Sequence, residues 1–450
     1  MKNRKGVVGA FFDRKFDALD LIILSIVFCA AILVNSHWDI LVTGNRGFIV
    51  QNHPFSFYDV YYDWSGGDYG LNYLPSTFWL YAIWDLPLRL FGFFPTDSFT
   101  LTKINMLWYR LLTFLCFYIV SVFIKKIFEL FPEYADRAKL AQIAFLLFPV
   151  GFFSQFLWNQ YDIFWVLFSV IGYYLFLTNK ETAGALTFGF ALTFKYQAIV
   201  FFLVLVCLRE KKIFTIIKRC VLALLPALIE IALVWHNKTF IKHVFGFFAL
   251  DYAKSGFTFG AISDLNLCAV VLFICIIVSY MKTIETDKDF FLQSIYLLNG
   301  ACFALYGFMK FHPQWILGAV PFWVIGMLTH KNEKIMSILQ WVFVVFYYPL
   351  IANLFGGVEH DLHGFMILRN IIPSAWPLTM KDVYLVTNTG LLFAVVFSIM
   401  ALNFYNSRPN NATESENDSL QFVRLNVRVG ILIAYMWWTI PFMICLHRAL

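Results

Sequence analysis

Charge is the scarcest ingredient of this sequence. Aspartate, glutamate, lysine and arginine make up 14% of its 450 residues, against roughly 25% in an ordinary soluble domain, so a conventional solvated fold is excluded. Cysteine motifs are missing too. All eight cysteines (Cys29, Cys116, Cys207, Cys220, Cys268, Cys275, Cys302 and Cys445) sit in or beside apolar runs without a CxxC pair, so neither a disulfide framework nor a zinc site is expected. No glycine-rich dinucleotide fingerprint and no P-loop occurs, which leaves no sign of a nucleotide site. Strands of alternating pattern are absent. The basic residues behind the formal charge of +6 are scattered over many short loops and form no stripe for nucleic acid.

What the sequence has in abundance is apolar and aromatic surface: 60% of residues are hydrophobic, 20% are aromatic, and mean hydropathy is +0.70. Apolar runs recur from 19–35 through 105–124, 183–208 and 290–309 to 384–402 and 429–446, many near the ~20 residues a helix needs to cross ~30 Å of hydrocarbon. A backbone exposed to lipid must satisfy its own hydrogen bonds. The expected fold is therefore all-α, a polytopic transmembrane helical bundle of about 11 to 13 spans. The first run follows the basic segment from Met1 to Lys15 without a small-residue cleavage site, so it reads as an anchor.

Placing the amino terminus in the cytoplasm puts about 22 of the 34 basic residues inside, loop after loop, as the positive-inside rule requires. Lys125, Lys126, Arg137 and Lys139 fall there, as do Lys180, Arg209, Lys211, Lys212, Lys218 and Arg219. The inner loops are then short and basic, and the outer ones long and rich in Trp, Tyr, Asp and His. Function is expected outside. The polar stretch from Asn406 to Leu420 reads as an inner linker. No internal repeat is visible, which weighs against a transporter built from inverted halves.

Four outer segments could carry chemistry. The first contains His37-Trp38-Asp39-Ile40, Thr43-Gly44-Asn45-Arg46-Gly47, Tyr58-Asp59, Asp63, Asp68 and Tyr73-Leu74-Pro75. Asp39 follows the first span so closely that the ~1.5 Å helical rise leaves it at the membrane surface. There it could deprotonate an acceptor hydroxyl beside a lipid-borne donor, or simply cap a helix. Asp63 and Asp68 flank Gly66-Gly67 and read as a turn; Asp59 lies between the two readings. The second segment, Phe156-Leu157-Trp158-Asn159-Gln160-Tyr161-Asp162, leads a carboxylate straight into a span, which calls for a polar cavity or an N-cap. In the third, Thr193-Phe194-Lys195-Tyr196-Gln197 divides the apolar stretch 183–208 into arms of about 12 residues, each ~18 Å and too short to span. Lys195 then sits below the outer surface, where it either snorkels or neutralises the phosphate of a lipid-linked donor. The fourth, Lys310-Phe311-His312-Pro313-Gln314-Trp315, is a short turn whose His and Gln suit phosphate or sugar and whose Trp suits an interface. Arg110 and Glu230 also lie within apolar runs near their outer ends, where pairing with other charges is the simple expectation. The intramembrane ionisable residues thus gather toward the outer side.

Taken in order, these motifs resemble the GT-C superfamily of polytopic glycosyltransferases, which use polyprenyl-phosphate sugars. Trp158-Asn159-Gln160-Tyr161-Asp162, Ala183-Gly184 and Phe194-Lys195-Tyr196-Gln197-Ala198 are similar to that family's G-Q-x-D, A-G, K-x-Q-A succession, with Asn159 where Gly is usual. His312-Pro313-Gln314-Trp315-Ile316-Leu317 is similar to the H-E-[KR]-[HY] turn shared with dolichyl-phosphate glucosyltransferases, with Pro313 replacing the acid. The stretch from Trp38-Asp39 to Tyr58-Asp59 is similar to the loop carrying the family's catalytic carboxylate. The resemblance extends to about residue 330.

It implies an inverting transfer of a sugar from a polyprenyl-phosphate carrier to an extracytoplasmic glycan, lipid or cell-wall acceptor at a bacterial plasma membrane, without a cofactor or metal. Asp39 would be the base, with Asp59 as runner-up. Lys195 and His312 would hold the donor phosphate, with Gln160 and Asp162 lining the same cavity. Arg46, Arg110, Tyr161, Gln197 and Gln314 complete the expected substrate contacts. Residues 1–235 would form the catalytic membrane module and 236–450 a variable one. Two rivals stay open. A transporter or flippase of lipid-linked saccharides would need polar residues near the midplane, reachable from both sides. An acyl-donor transferase would use an intramembrane histidine such as His312.

Overall fold

The computed structural model describes residues 18–34, 38–67, 71–93, 102–157, 161–246, 267–308, 311–330, 332–355 and 420–430. All regular elements among them are helical, as a chain that must satisfy its own backbone in an apolar setting requires. In chain order they are α1 (Ala18–Val34), α2 (Trp38–Asn45), α3 (Gly47–Asn52), α4 (Phe57–Trp64), α5 (Pro75–Trp84), α6 (Leu86–Leu90), α7 (Lys103–Glu129), α8 (Ala138–Leu146) and α9 (Pro149–Phe152). Then follow α10 (Ile163–Leu177), α11 (Glu181–Phe194), α12 (Ala198–Arg209), α13 (Ile213–Val234), α14 (Phe240–Val244), α15 (Leu267–Met281), α16 (Asp287–Gly307), α17 (Val320–Thr329) and α18 (Glu333–Phe355). A π-helical turn, Phe153–Leu157, precedes α10, and a 3-10 turn, Pro313–Gly318, precedes α17.

Against the 11 to 13 expected spans, two helices among the described residues are long and apolar enough to cross a membrane by themselves: Ile104–Glu129 and Asp287–Gly307. A third is bent by 45° between Ala135–Leu146 and Pro149–Phe156, where Pro149 has no amide to continue the helix. Four more apolar helices, α10, α12, α15 and α17, have 10 to 17 residues. The runs expected at 384–402 and over most of 429–446 lie outside the described residues.

The interruption at Lys195 is a hairpin tip. Its arms are α11, with 14 residues, and α12, with 12, so they reach only ~18 to 21 Å. Both start from one end of the bundle, where Arg209 at the close of α12 bonds Glu181 at the start of α11 at 3.2 Å. α10 lies against α11, and α13 crosses α11 where Gly189 faces the Ala223 carbonyl and the Pro226 ring. A Cβ at Gly189 would come within 2.6 Å of that carbonyl, so the crossing depends on a missing side chain. The tip therefore stops short of a full ~30 Å crossing, and the bundle has an Arg209 end and a Lys195 end.

The stretch 36–104, read from sequence as a long loop, is largely helical where described: α2 to α6 fold over the Lys195 end. Of these, α3 to α5 carry a core of their own, Ile49, Val50, Phe57, Tyr58, Tyr61, Leu71, Phe78 and Ala82, to which Val234 and Phe240 contribute, while Ile40 of α2 and Leu88 of α6 join the main core. The turn after α4 closes with Gly66 and Gly67 at φ +70° and +104°, the turn expected around Asp63; Asp68 lies outside the described residues.

Candidate functional site

At the Lys195 end, α11 stops where Lys195 takes up extended backbone (φ −157°, ψ 127°). That break turns the side chain toward the start of α10, where Asp162 precedes the first helical residue. The Lys195 ammonium and the Asp162 carboxylate are paired, and both are almost fully buried. Asp162 Oδ1 also accepts the Trp165 indole N–H at 3.3 Å, while Oδ2 has no hydrogen-bond partner. Trp165 fits only because residue 318 is glycine: a Cβ there would meet its ring at 2.2 Å.

The 3-10 turn closes another side of this pair. The Lys195 ammonium lies 4.7 Å over the Trp315 ring, and the His312 ring is 5.2 Å from the same indole. Lys195 and His312 thus meet across one tryptophan, from elements more than 100 residues apart in sequence. Gln314 is buried in the same turn. Gln197, also buried, sits just before α12 with its Oε1 lacking a partner.

A third side comes from the amino-terminal helices. Tyr161 packs edge-on to Tyr73 at 5.0 Å and hydrogen-bonds to Tyr73 and Thr43. Asp39, in the first turn of α2, is close enough to act electrostatically on both phenols, as is Asp162. Asp39, Tyr161, Asp162, Lys195 and His312 therefore belong to one constellation, held by Tyr73, Thr43, Trp165 and Trp315. Tyr306 joins it from α16; its hydroxyl has no hydrogen-bond partner and its phenol feels Asp162.

Other expected site residues are engaged elsewhere. Both Asp59 oxygens are occupied: Oδ2 accepts from the Lys238 amide at 2.9 Å, and Oδ1 from the Thr239 amide and hydroxyl at 2.9 and 2.7 Å. Burial alone would raise its pKa, but the Thr239 hydroxyl and the Thr239 and Lys238 amides outweigh it and hold the carboxyl below its ordinary value. Arg46 donates to the Tyr61 hydroxyl at 3.1 Å and lies over that ring, tying α3 to α4. Arg110 donates to the Ala31 and Ile32 carbonyls, groups that the last turn of α1 leaves without amide partners, at the end where a cation also favours the helix dipole. Glu230, where a charged partner is the simple expectation, accepts from the Ser76 hydroxyl and, at 3.1 Å, from the Ser76 amide, capping α5. Gln160 lies outside the described residues.

Ionised groups are not confined to this end. At the Arg209 end, Arg137 bonds Glu333 at 2.6 Å and Asp20 lies 3.6 Å from Arg428, all four nearly inaccessible. The gathering of buried charge toward one side is thus corrected: partnered charges lie at the other end too. Among the described residues no three His, Cys, Asp or Glu side chains come together as metal ligands. A shallow cleft lined by Ala144, Met327, Ser337 and Asn426 touches none of the residues around Lys195.

No established family profile matches the sequence, and no curated protein does. Among solved structures, ArnT from Cupriavidus metallidurans bound to undecaprenyl phosphate is similar over 92% of this chain and 77% of its own, with 13% identity and a TM-score of 0.42. A likeness of that degree leaves function to be argued from the residues.

Proposed function

We propose that the protein is a GT-C-type inverting glycosyltransferase that moves a sugar from a polyprenyl-phosphate carrier to an acceptor on the outer side of a membrane. The observation that carries this reading is the meeting of Asp39, Asp162, Lys195 and His312 around shared aromatic rings at the tip of a hairpin too short to cross. Such a tip lies below the outer surface, where a lipid-borne phosphate reaches it only through a cavity in the protein. The Lys195 end is the outer one by the distribution of basic residues.

Chemically, a single displacement at the anomeric carbon needs a base for the acceptor hydroxyl and a cation for the departing phosphate. Asp39 supplies the base: its carboxylate takes the hydroxyl proton as the new glycosidic bond forms. Lys195 holds the phosphate that leaves with the bonding electrons, in a dry setting where a fixed charge acts strongly. His312 adds a second donor. Asp59 is a poor base, since its lone pairs already serve Lys238 and Thr239.

The test is transfer by the purified protein with a panel of polyprenyl-phosphate sugars. Asp39→Asn keeps shape and hydrogen bonding, so it should fold normally while turnover falls ~100-fold or more; Asp59→Asn should keep most of its turnover. Near-normal turnover in Asp39→Asn would remove the assigned base, and no transfer with any donor would remove the reading. One observation favours the flippase alternative: Arg137–Glu333 and Asp20–Arg428 place ionised groups in the interior of the opposite end. Both pairs are closed on a partner, which suits a sealed bundle better than a path. Movement of a fluorescent lipid-linked saccharide across liposomes without its consumption would favour that alternative.

A further inference from the structure

Lys195 already has a counter-charge. Its ammonium is 7% exposed, the Asp162 carboxylate is 1% exposed, and the two are paired. A donor phosphodiester arriving at Lys195 brings another negative charge to a neutral, dry pair. Besides Lys195, the groups from neighbouring elements that act on Asp162 among the described residues are phenols: Tyr161 lies beside it in the same turn, Tyr73 comes from the stretch before α5, and Tyr306 from α16. His312 packs against Trp315, and Asp39 adds a second carboxylate to the same tyrosines. A phosphate added to the intact pair would leave one net negative charge in a dry site, which is strongly disfavoured.

Asp162 leaving Lys195 while ionised is no better, because an unpaired buried carboxylate is severely penalised and neutralises instead. The side chain has a place for the proton: Oδ2 is buried without a hydrogen-bond partner, while Oδ1 keeps the Trp165 indole. We propose that Asp162 is the resident anion on Lys195, that the donor's phosphate replaces it there, and that the displaced carboxyl takes up one proton from solvent. No covalent bond of the donor changes in this step. The lysine exchanges a carboxylate for a phosphate, one O–H bond forms, and the charge within the site stays balanced. The inference rests on the function proposed above and adds to it a control on donor entry: an empty site is kept neutral, and binding is coupled to protonation.

Calorimetry on the intact protein with a short-chain polyprenyl phosphodiester, whose single charge is fixed between pH 5 and 9, tests this directly. Titrations at pH 8 in two buffers of different ionisation enthalpy should report close to one proton taken up per lipid bound, and affinity should fall by up to about tenfold per pH unit as pH rises. In Asp162→Asn proton uptake should vanish and affinity at pH 8 should rise, because the competing anion is gone. Lys195→Gln should lose binding in either background. Binding that needs Lys195 but takes up no proton overturns the exchange, as does a weakened Asp162→Asn that folds normally, which would make Asp162 a plain positioning residue. If Asp162→Asn does not fold, the wild-type proton count alone decides. Absence of lipid binding in the wild type, or indifference to Lys195→Gln, instead removes the proposed function on which the exchange rests.

Discussion

The two ends of the bundle treat charge in opposite ways. At the Arg209 end charges are numerous and mostly paired: Arg209 bonds Glu181 at 3.2 Å, Asp287 at 3.0 Å and Asn179, while Arg219 lies 3.8 Å from both Glu181 and Glu210 although its Nη1 makes no hydrogen bond. That network joins the ends of α10 and α12 to the starts of α11, α13 and α16. At the Lys195 end charges are few, deeper and incompletely satisfied, with Asp162 Oδ2, Gln197 Oε1 and the Tyr306 hydroxyl lacking partners. A buried polar atom without a partner is costly. Under the function proposed above, such atoms around Lys195 are open to an incoming group, whereas the Arg209 network mainly closes on itself.

That contrast can be broken by experiment. The largest effect is expected at Asp85, which is buried between α5 and α6, 3.4 Å from the Tyr109 hydroxyl. Burial raises its pKa to about 8, and the Tyr109 hydrogen bond only partly offsets this. A raised carboxyl pKa favours the fold while the group is protonated, so this contribution is whole below pH ~4 and is lost as pH rises toward 8. Thermal unfolding in detergent should show stability declining by several kcal/mol over that window, and Asp85→Asn should flatten the decline. An unchanged pH profile in that variant would relocate the titration.

Next, Arg137→Met leaves Glu333 buried without its partner and should destabilise the protein by about 3 to 5 kcal/mol, while the folded fraction binds donor lipid normally. A donor-binding defect there would blur the division between the ends. Lys195→Ala should weaken apparent donor affinity by ~1.5 to 3 kcal/mol and, because it leaves Asp162 buried without its cation, should also lower the unfolding midpoint; an unaffected affinity would make Lys195 a snorkelling residue. The smallest effect is expected from Lys125→Ala, which breaks a half-exposed helical pair with Glu129 worth about 0.3 to 0.5 kcal/mol. A larger loss in equilibrium unfolding would show that peripheral charges at the Arg209 end also carry the fold.

Much of the Lys195 end could be read before any coordinates. A polar triplet inside an apolar stretch must be a break, and the arms it leaves are too short to span, so Lys195 had to lie at depth. Asp162 at the mouth of a run was conspicuous because ionised groups there are expensive. Tyr73, Thr43, Trp165 and Tyr306 were not legible as site residues. In a chain with 20% aromatic residues, a tyrosine or tryptophan beside a run looks like core or interface. Arg110 and Glu230 were misjudged for another reason: Arg110 bonds backbone carbonyls at a helix end and Glu230 the amide and hydroxyl of Ser76, partners that no pattern of charges displays. The helices over 36–104 were hidden because they are short and take their stability from mutual packing.

By itself the sequence determined the solvent of the protein, its helical character, the break at Lys195 and the few charges with chemical potential, because hydropathy, length and charge cost are local properties. Only the tertiary structure decided which charges face one another. It set Asp162 on Lys195, His312 and Lys195 on one tryptophan, and Asp59 on Thr239, since those pairings depend on how α10, α11 and the 3-10 turn pack across more than 100 residues of chain. Contacts between residues so distant in sequence follow from the shape of the whole core, which no local pattern specifies.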